Sequence, residues 1–135
     1  MTDIFEIIAS RLDTAMQTGT PIPPITETYE IKETTAAYAI QNHWTELRLK
    51  RGEKIVGRKI GLTSKAIQTQ LGADEPDYGN LWGSTFYQAE NGKVNIPAGD
   101  FLQPRIEGEV AFLIGKPIRE PGVTPKQILE ATEAC

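Results

Sequence analysis

Apolar residues recur at helical spacing from the start of the chain. Ile4, Ile7, Ile8, Leu12, Ala15 and Met16 share one face of an amphipathic helix predicted over residues 3–17. Asp3 can cap it, Glu6 stands in the capping-box position, and Gly19 stops it. The run Thr20-Pro21-Ile22-Pro23-Pro24 is an extended connector, because each proline pushes its predecessor out of the helical region. A second helix starts near Thr34 or Thr35 and ends near Arg51-Gly52. Ala37, Ile40, Trp44 and Leu47 form its apolar stripe, and Gly52 sits where a C-terminal cap belongs.

Beyond Gly52 the period drops to two. Residues 55–62 read as a strand with Val56, Arg58, Ile60 and Leu62 on one face and Gly57, Lys59 and Gly61 on the other. Thr63 or Ser64 then caps a short helix that closes at Leu71-Gly72, and 73–83 is a loop rich in Asp, Pro and Gly. Residues 85–87 and 93–96 are short strands around the turn dipeptide Asn91-Gly92, with a loop longer than two residues. Residues 105–114 give the clearest strand, with Ile106, Val110, Phe112 and Ile114 facing one way and Arg105, Glu107, Glu109, Ala111 and Leu113 the other. Thr124-Pro125-Lys126-Gln127 opens a third helix with a cap, a proline at the first helical position and a capping-box glutamine. It runs to Cys135 without a stop signal, the mark of a chain cut inside an element. The class is α+β, with a helical region over 1–52 followed by a strand-rich region over 53–135.

Composition narrows the function. With 39% hydrophobic and 24% charged residues in 135, the chain is an ordinary globular domain, neither disordered nor membrane-spanning. The net charge is −4 and no Lys/Arg stripe forms, so nucleic acid is not an expected partner. That balance leaves an anionic substrate open, since a divalent cation in the site reverses the local sign. The single cysteine, Cys135, excludes an intrachain disulfide and a cysteine metal site. The first residues carry acids among their apolar positions and lack a basic leader, so the expected location is the cytoplasm.

Glu107 and Glu109 are the sharpest chemical feature. Two apart on a strand, they project from one face roughly 6.5–7 Å apart. Converging carboxylates suit one hard cation such as Mg²⁺ or Mn²⁺. On spacing alone, the commoner meaning of Glu-x-Glu is a solvated strand face. Lys59, flanked on its own face by Gly57 and Gly61, can approach a ligand closely and act on an enolate. Taken alone, it is more often a surface lysine. Asp77 suits acid–base work, or equally the turn role usual for Asp between Pro and Gly. Thr63 and Ser64 offer either a carboxylate contact or ordinary capping. Arg58, on the apolar face, calls for a buried partner or a neighbouring subunit, and His43 for a structural or surface role. Neither a nucleotide-binding glycine loop nor a serine elbow is present.

Four segments resemble the bacterial 2-keto-4-pentenoate hydratase family of the fumarylacetoacetase superfamily. They are Ala37-Tyr38-Ala39-Ile40-Gln41, Gly57-Arg58-Lys59-Ile60-Gly61-Leu62-Thr63-Ser64, Glu75-Pro76-Asp77-Tyr78-Gly79 and the stretch from Gln103 through Glu107-Gly108-Glu109 to Phe112. They occur in family order and with family-like spacing, and the resemblance covers the N-terminal half of such a protein. It implies a fumarylacetoacetase-type mixed β-roll, truncated here. It also implies a Mg²⁺ or Mn²⁺ held by Glu107 and Glu109 together with a third carboxylate beyond Cys135. Lys59 and Asp77 fall on the family's acid–base positions. The implied reaction is hydration of 2-hydroxypenta-2,4-dienoate to 4-hydroxy-2-oxopentanoate, by a homo-oligomer when full length. Family members usually have alanine where this chain has Gly108. The sister enzyme 2-oxo-3-hexenedioate decarboxylase is the nearest rival, and Asp77 argues against it, because the decarboxylases tend to lack an acid there. The other rival is a non-catalytic fragment that only associates with other subunits. The 135-residue stretch alone is expected to self-associate and to be inactive.

Overall fold

A computed structural model describes residues 3–119 and 121–135. It is a mixed helix-and-strand chain with two small antiparallel sheets, divided into two compact units, Met1–Leu102 and Gln103–Cys135. No helix among the described residues is long and apolar enough to cross a membrane.

The first unit opens with α1, Ile4–Thr18. Asp3 caps it by accepting the Phe5 amide at 3.2 Å, and Gly19 closes it at φ 61, where its amide reaches the carbonyls of Ala15 and Met16. A single turn, α2 (Ile25–Thr28), leads to α3, Thr34–Lys50, after which Gly52 takes φ 93. Ile8 and Ala9 of α1 meet Ile40 of α3 in a fully buried contact, flanked by Phe5, Leu12, Trp44 and Leu47 and by Ile25, Tyr29 and Ile31 of the connection. The expected stripes meet only in part, with Ile8 and Leu12 of α1 facing Ile40, Trp44 and Leu47 of α3. Ile4, Ile7, Met16 and Ala37 stay exposed, and Phe5 and Ala9 complete the buried face of α1 in their place. His43 lies 3.6 Å from Asp3, tying α3 to the cap of α1.

Strand β1, Ile55–Gly61, pairs antiparallel with β2, Asp77–Trp82. Between them α4, Lys65–Leu71, is capped by the Ser64 hydroxyl, which accepts the Ile67 amide, and is closed by Gly72 at φ 69. The loop expected over 73–83 is thus shorter, because its second half is β2. Local Asp, Pro and Gly content hid a strand whose partners are distant in sequence. One of those partners is α3. The Tyr78 ring stacks on Tyr38, Asn80 Nδ2 donates to Thr45 Oγ1 at 2.9 Å, and buried Trp82 lies under the Arg48 guanidinium, 4.0 Å from its ring centre. Arg58, expected to find a buried partner or a neighbouring subunit, is exposed and, among the described residues, bonds only the neighbouring Gly57 carbonyl.

Arg48 also anchors an ion-pair network. Its Nε and Nη2 donate to the two Glu53 oxygens at 3.1 and 2.5 Å. Arg51 bridges the same carboxylate, at 2.7 Å, to Asp13 of α1 at 2.6 and 3.0 Å. Trp44 Nε1 and Gln17 Nε2 complete the shell of Asp13, and Ser84 donates to Glu53. α1, α3, the turn into β1 and the end of β2 are thereby held at one point.

After β2 the expected strand at 85–87 is instead a 3₁₀ turn, Gly83–Thr85, fixed by Thr85 Oγ1 donating to the Trp82 carbonyl. The hairpin at Asn91-Gly92 forms with two residues only, at φ 52 and 74, closed by reciprocal backbone bonds between Glu90 and Lys93. It carries a single bridge in place of the strand expected over 93–96. In the second unit the strand expected over 105–114 shrinks to β3, Leu113–Ile114. A ladder needs a partner, and only those two residues have one, β4 (Thr132–Ala134). Ile106, Val110 and Phe112 consequently stay exposed. The third helix, α5 (Pro125–Ala131), has the expected capping box at Thr124 and Gln127. It ends at Ala131 and does not continue to Cys135. Pairing with β3, and the Gly115 amide donating to the Ala131 carbonyl at 2.8 Å, draw the backbone into an extended form.

The network sets an acid limit on the first unit. Hydrogen bonding from Arg48 outweighs burial and, with Arg51 and Ser84, holds the Glu53 carboxyl down to about 2. Arg51 holds the Asp13 carboxyl below its usual value in the same way. A depressed carboxyl stabilises the fold fully above its ordinary pKa and loses that contribution as pH falls through the folded value. For Glu53 the window runs from 4.5 down to about 2, and its contribution is fully present at neutral pH. Thermal unfolding followed against pH should show the melting temperature dropping across that window, with a shallower drop in Glu53→Gln. An identical acid limb in the variant would contradict the assignment.

Candidate active site

The β1–β2 pair has two unlike faces. In an antiparallel ladder directly opposed residues project to the same side. Tyr78, Asn80 and Trp82 turn towards α3. The other face carries the pairs Gly57↔Leu81, Lys59↔Gly79 and Gly61↔Asp77. In each pair a glycine stands across from a side chain, so every side chain on this face lies over a backbone that offers no Cβ. The aliphatic stem of Lys59 runs over Gly79, with Cγ 3.9 Å from where a methyl would be. Asp77 folds over Gly61 so closely that a methyl there would collide with its Oδ1 and sit 3.2 Å from its Cγ. Lys59 and Asp77 are diagonal neighbours, at a spacing of roughly 7–8 Å between backbones. Both are exposed, and among the described residues neither side chain is engaged in an ion pair or hydrogen bond. An ammonium and a carboxylate, both free, therefore share one open glycine-floored surface.

Thr63 and Ser64 stand where the chain leaves β1. Leu62 makes that exit with a left-handed backbone, φ 54, a conformation that costs a non-glycine residue about 1–3 kcal/mol. Buried Gln68 secures it, donating from Nε2 to the Leu62 carbonyl at 2.7 Å while its Oε1 accepts from Lys65 Nζ at 2.9 Å. The Ser64 oxygen is occupied in capping α4, and Thr63 is exposed. Glu107 and Glu109 belong to the second unit, in a segment without regular structure, so the strand geometry expected to align them is not formed there. Both are exposed and make no ion pair or side-chain hydrogen bond among the described residues. No cluster of three or more potential metal ligands occurs among the described residues.

Sequence reasoning put Lys59 and Asp77 forward as candidates but missed what holds them. The roles of Gly61 and Gln68, and the polar stripe Tyr38, Gln41, Thr45 and Arg48, went unread. That stripe had a signal, since positions 38, 41, 45 and 48 fall on one helical face. A polar stripe, however, is normally a solvated one.

No protein-family model matches the chain. A 2-keto-4-pentenoate hydratase of Paraburkholderia xenovorans is 40% identical over 129 residues, covering 95% of this chain and 46% of the relative. This chain is a homologue of the 2-keto-4-pentenoate hydratases. A 2-hydroxyhexa-2,4-dienoate hydratase of Comamonas testosteroni is 38% identical over 95% of the chain and 48% of its own length. A 2-oxo-hept-4-ene-1,7-dioate hydratase of Escherichia coli is 39% identical over 94% and 46%. The chain thus spans about half the length of the curated hydratases it matches. Among solved structures, a 4-oxalocrotonate decarboxylase of Pseudomonas putida, complexed with magnesium and adipate, is 31% identical with a TM-score of 0.56. That likeness covers 59% of this chain and 30% of the decarboxylase. The same decarboxylase complexed with calcium and acetate gives the same score.

The close approach at Gly61 is testable. The obstructing atom is the tip of a side chain, so Gly61→Ala should leave stability within about 1 kcal/mol while swinging the Asp77 carboxylate aside. The Asp77 carboxyl ¹³C resonance should move. An unmoved resonance would show that the two residues do not touch.

Proposed function

We propose that this chain contributes to a divalent-metal-dependent hydratase that converts 2-hydroxypenta-2,4-dienoate to 4-hydroxy-2-oxopentanoate. The observation that carries the reading is the placement of Lys59 and Asp77, free and side by side on one open face, in a homologue of hydratases. Residues 53–135 would supply the first part of a fumarylacetoacetase-type β-roll.

The reaction is proton traffic around a dienol. Ketonisation removes the 2-hydroxyl proton and adds one at C5, leaving a 2-oxo-3-enoate. Water then adds at C4 and a proton at C3. Asp77 offers an acceptor for these protons and the Lys59 ammonium a donor, and that ammonium also balances negative charge developing on the 2-oxygen. Thr63 and Ser64 lie at the end of the same strand, where their hydroxyl hydrogens can reach a substrate carboxylate. Glu107 and Glu109 present unengaged carboxylate oxygens, the donor type that Mg²⁺ and Mn²⁺ take, with water and substrate filling the remaining positions. When bound, the ion supplies Lewis-acid stabilisation of the enolate.

The second reading is decarboxylation of a dicarboxylate such as 2-oxo-3-hexenedioate, favoured by the structural likeness to the 4-oxalocrotonate decarboxylase. The acid at Asp77 supports the hydratase, and the products separate the two, since only decarboxylation releases CO₂.

The test uses the full-length protein. Loss of 2-hydroxypenta-2,4-dienoate absorbance should require Mg²⁺ or Mn²⁺ and stop with EDTA. Lys59→Ala should cut kcat by about 10²–10⁴ with little change in melting temperature. Glu107→Gln with Glu109→Gln should weaken metal binding measured by titration calorimetry. Wild-type turnover in Lys59→Ala, or activity indifferent to EDTA, would overturn the proposal.

A further inference from the structure

Tyr78 lies between the two residues that matter on the open face, Asp77 itself and Gly79, which floors Lys59. Its own side chain points the other way, onto α3, where its ring stacks on Tyr38 with centroids 4.6 Å apart and planes 14° from parallel. The backbone of Tyr78 is also held from α3. Its amide donates to Tyr38 Oη at 3.2 Å, and its carbonyl accepts from Gln41 Nε2 at 3.2 Å. These are the peptide groups that join Tyr78 to Asp77 on one side and to Gly79 on the other. Two side chains one turn apart on α3 thus fix the orientation of both peptide planes flanking Tyr78, the first of which begins at Asp77.

We propose that Tyr38 and Gln41 are positioning residues, which hold the Tyr78 peptide groups and so keep the Asp77 carboxylate over Gly61 beside Lys59. The proposal rests on the proton-transfer reading of Asp77 and assigns two half-buried polar residues that the reaction itself never touches. Asp77 begins β2 and follows Pro76, so nothing on its N-terminal side continues the ladder. The rest of the strand has separate anchors, Asn80 on Thr45 and Trp82 under Arg48. Loss of the Tyr38 and Gln41 bonds therefore loosens the Asp77 end, which keeps only its ladder pairing with Gly61, and leaves the remainder docked. Because faces alternate along a strand, a small rotation there is enough to turn the carboxylate away from Lys59.

The experiment compares Tyr38→Phe, which keeps the stacked ring, and Gln41→Met, which keeps the length, singly and together in the full-length protein. Each is also placed in an Asp77→Asn background. The pair should lower kcat on the order of tenfold with KM near that of the parent, as expected for a misplaced reacting group. It should shift the Asp77 carboxyl ¹³C resonance and cause no further loss once Asp77 is Asn. A role confined to stability would leave that resonance in place, or would give losses that multiply with Asp77→Asn, and either result overturns the proposal. Should Asp77→Asn alone turn over at the parent rate, the proton-transfer reading falls, and the resonance by itself decides the positioning.

Discussion

The stripe Tyr38, Gln41, Thr45 and Arg48 takes hold of β2 at Tyr78, Asn80 and Trp82, and the candidate site depends on that seam. A two-stranded sheet has little stability of its own. Here one face of β2 and the Tyr78 peptide groups are committed to a helix that is itself packed on α1 through Ile40. Commitment of that face decides what the other presents. With Tyr78 turned to α3, Asp77 and Gly79 turn away from it, and the register brings them opposite Gly61 and Lys59.

The glycines give the open face its chemistry. Gly57, Gly61 and Gly79 each stand across from a side chain, so Lys59 and Asp77 lie low over backbone and are not crowded by neighbours. An open surface with an ammonium and a carboxylate close together is what the proposed proton transfers call for. The acidic pair Glu107 and Glu109, proposed as oxygen donors for a hard cation, belongs to the second unit.

What could be read from the sequence followed from local rules. Asp3, Gly19, Ser64, Gly72, Thr124 and Gln127 mark helix ends by hydrogen bonds made within a few residues, and all six act as the sequence implies. The alternation along β1 placed Lys59 with Gly57 and Gly61 correctly. Elements that need a distant partner were misjudged in both directions. β2 was hidden inside an Asp-Pro-Gly segment because its support comes from α3, some 40 positions earlier. Residues 105–112 alternate as a strand should, yet find no partner strand among the described residues. The α3 stripe escaped for a related reason, since Tyr38, Gln41 and Thr45 have the polarity of solvated residues. The proposed activity was legible only through resemblance, because Lys59, Asp77 and Glu-x-Glu taken singly have commoner structural uses.

The central claim is that the register of β1 on β2 places Lys59 and Asp77 on one face. Because the Tyr78 amide and carbonyl are bound to α3, Ile60 and Tyr78 form the pair that exchanges no bonds across the ladder, the kind with Cα atoms about 4.5 Å apart. In isotopically labelled protein the account predicts a strong Hα–Hα Overhauser effect between Ile60 and Tyr78. A strong effect from Tyr78 to Lys59 or Gly61 instead would mean a one-residue slip, which puts Lys59 and Asp77 on opposite faces and contradicts the account.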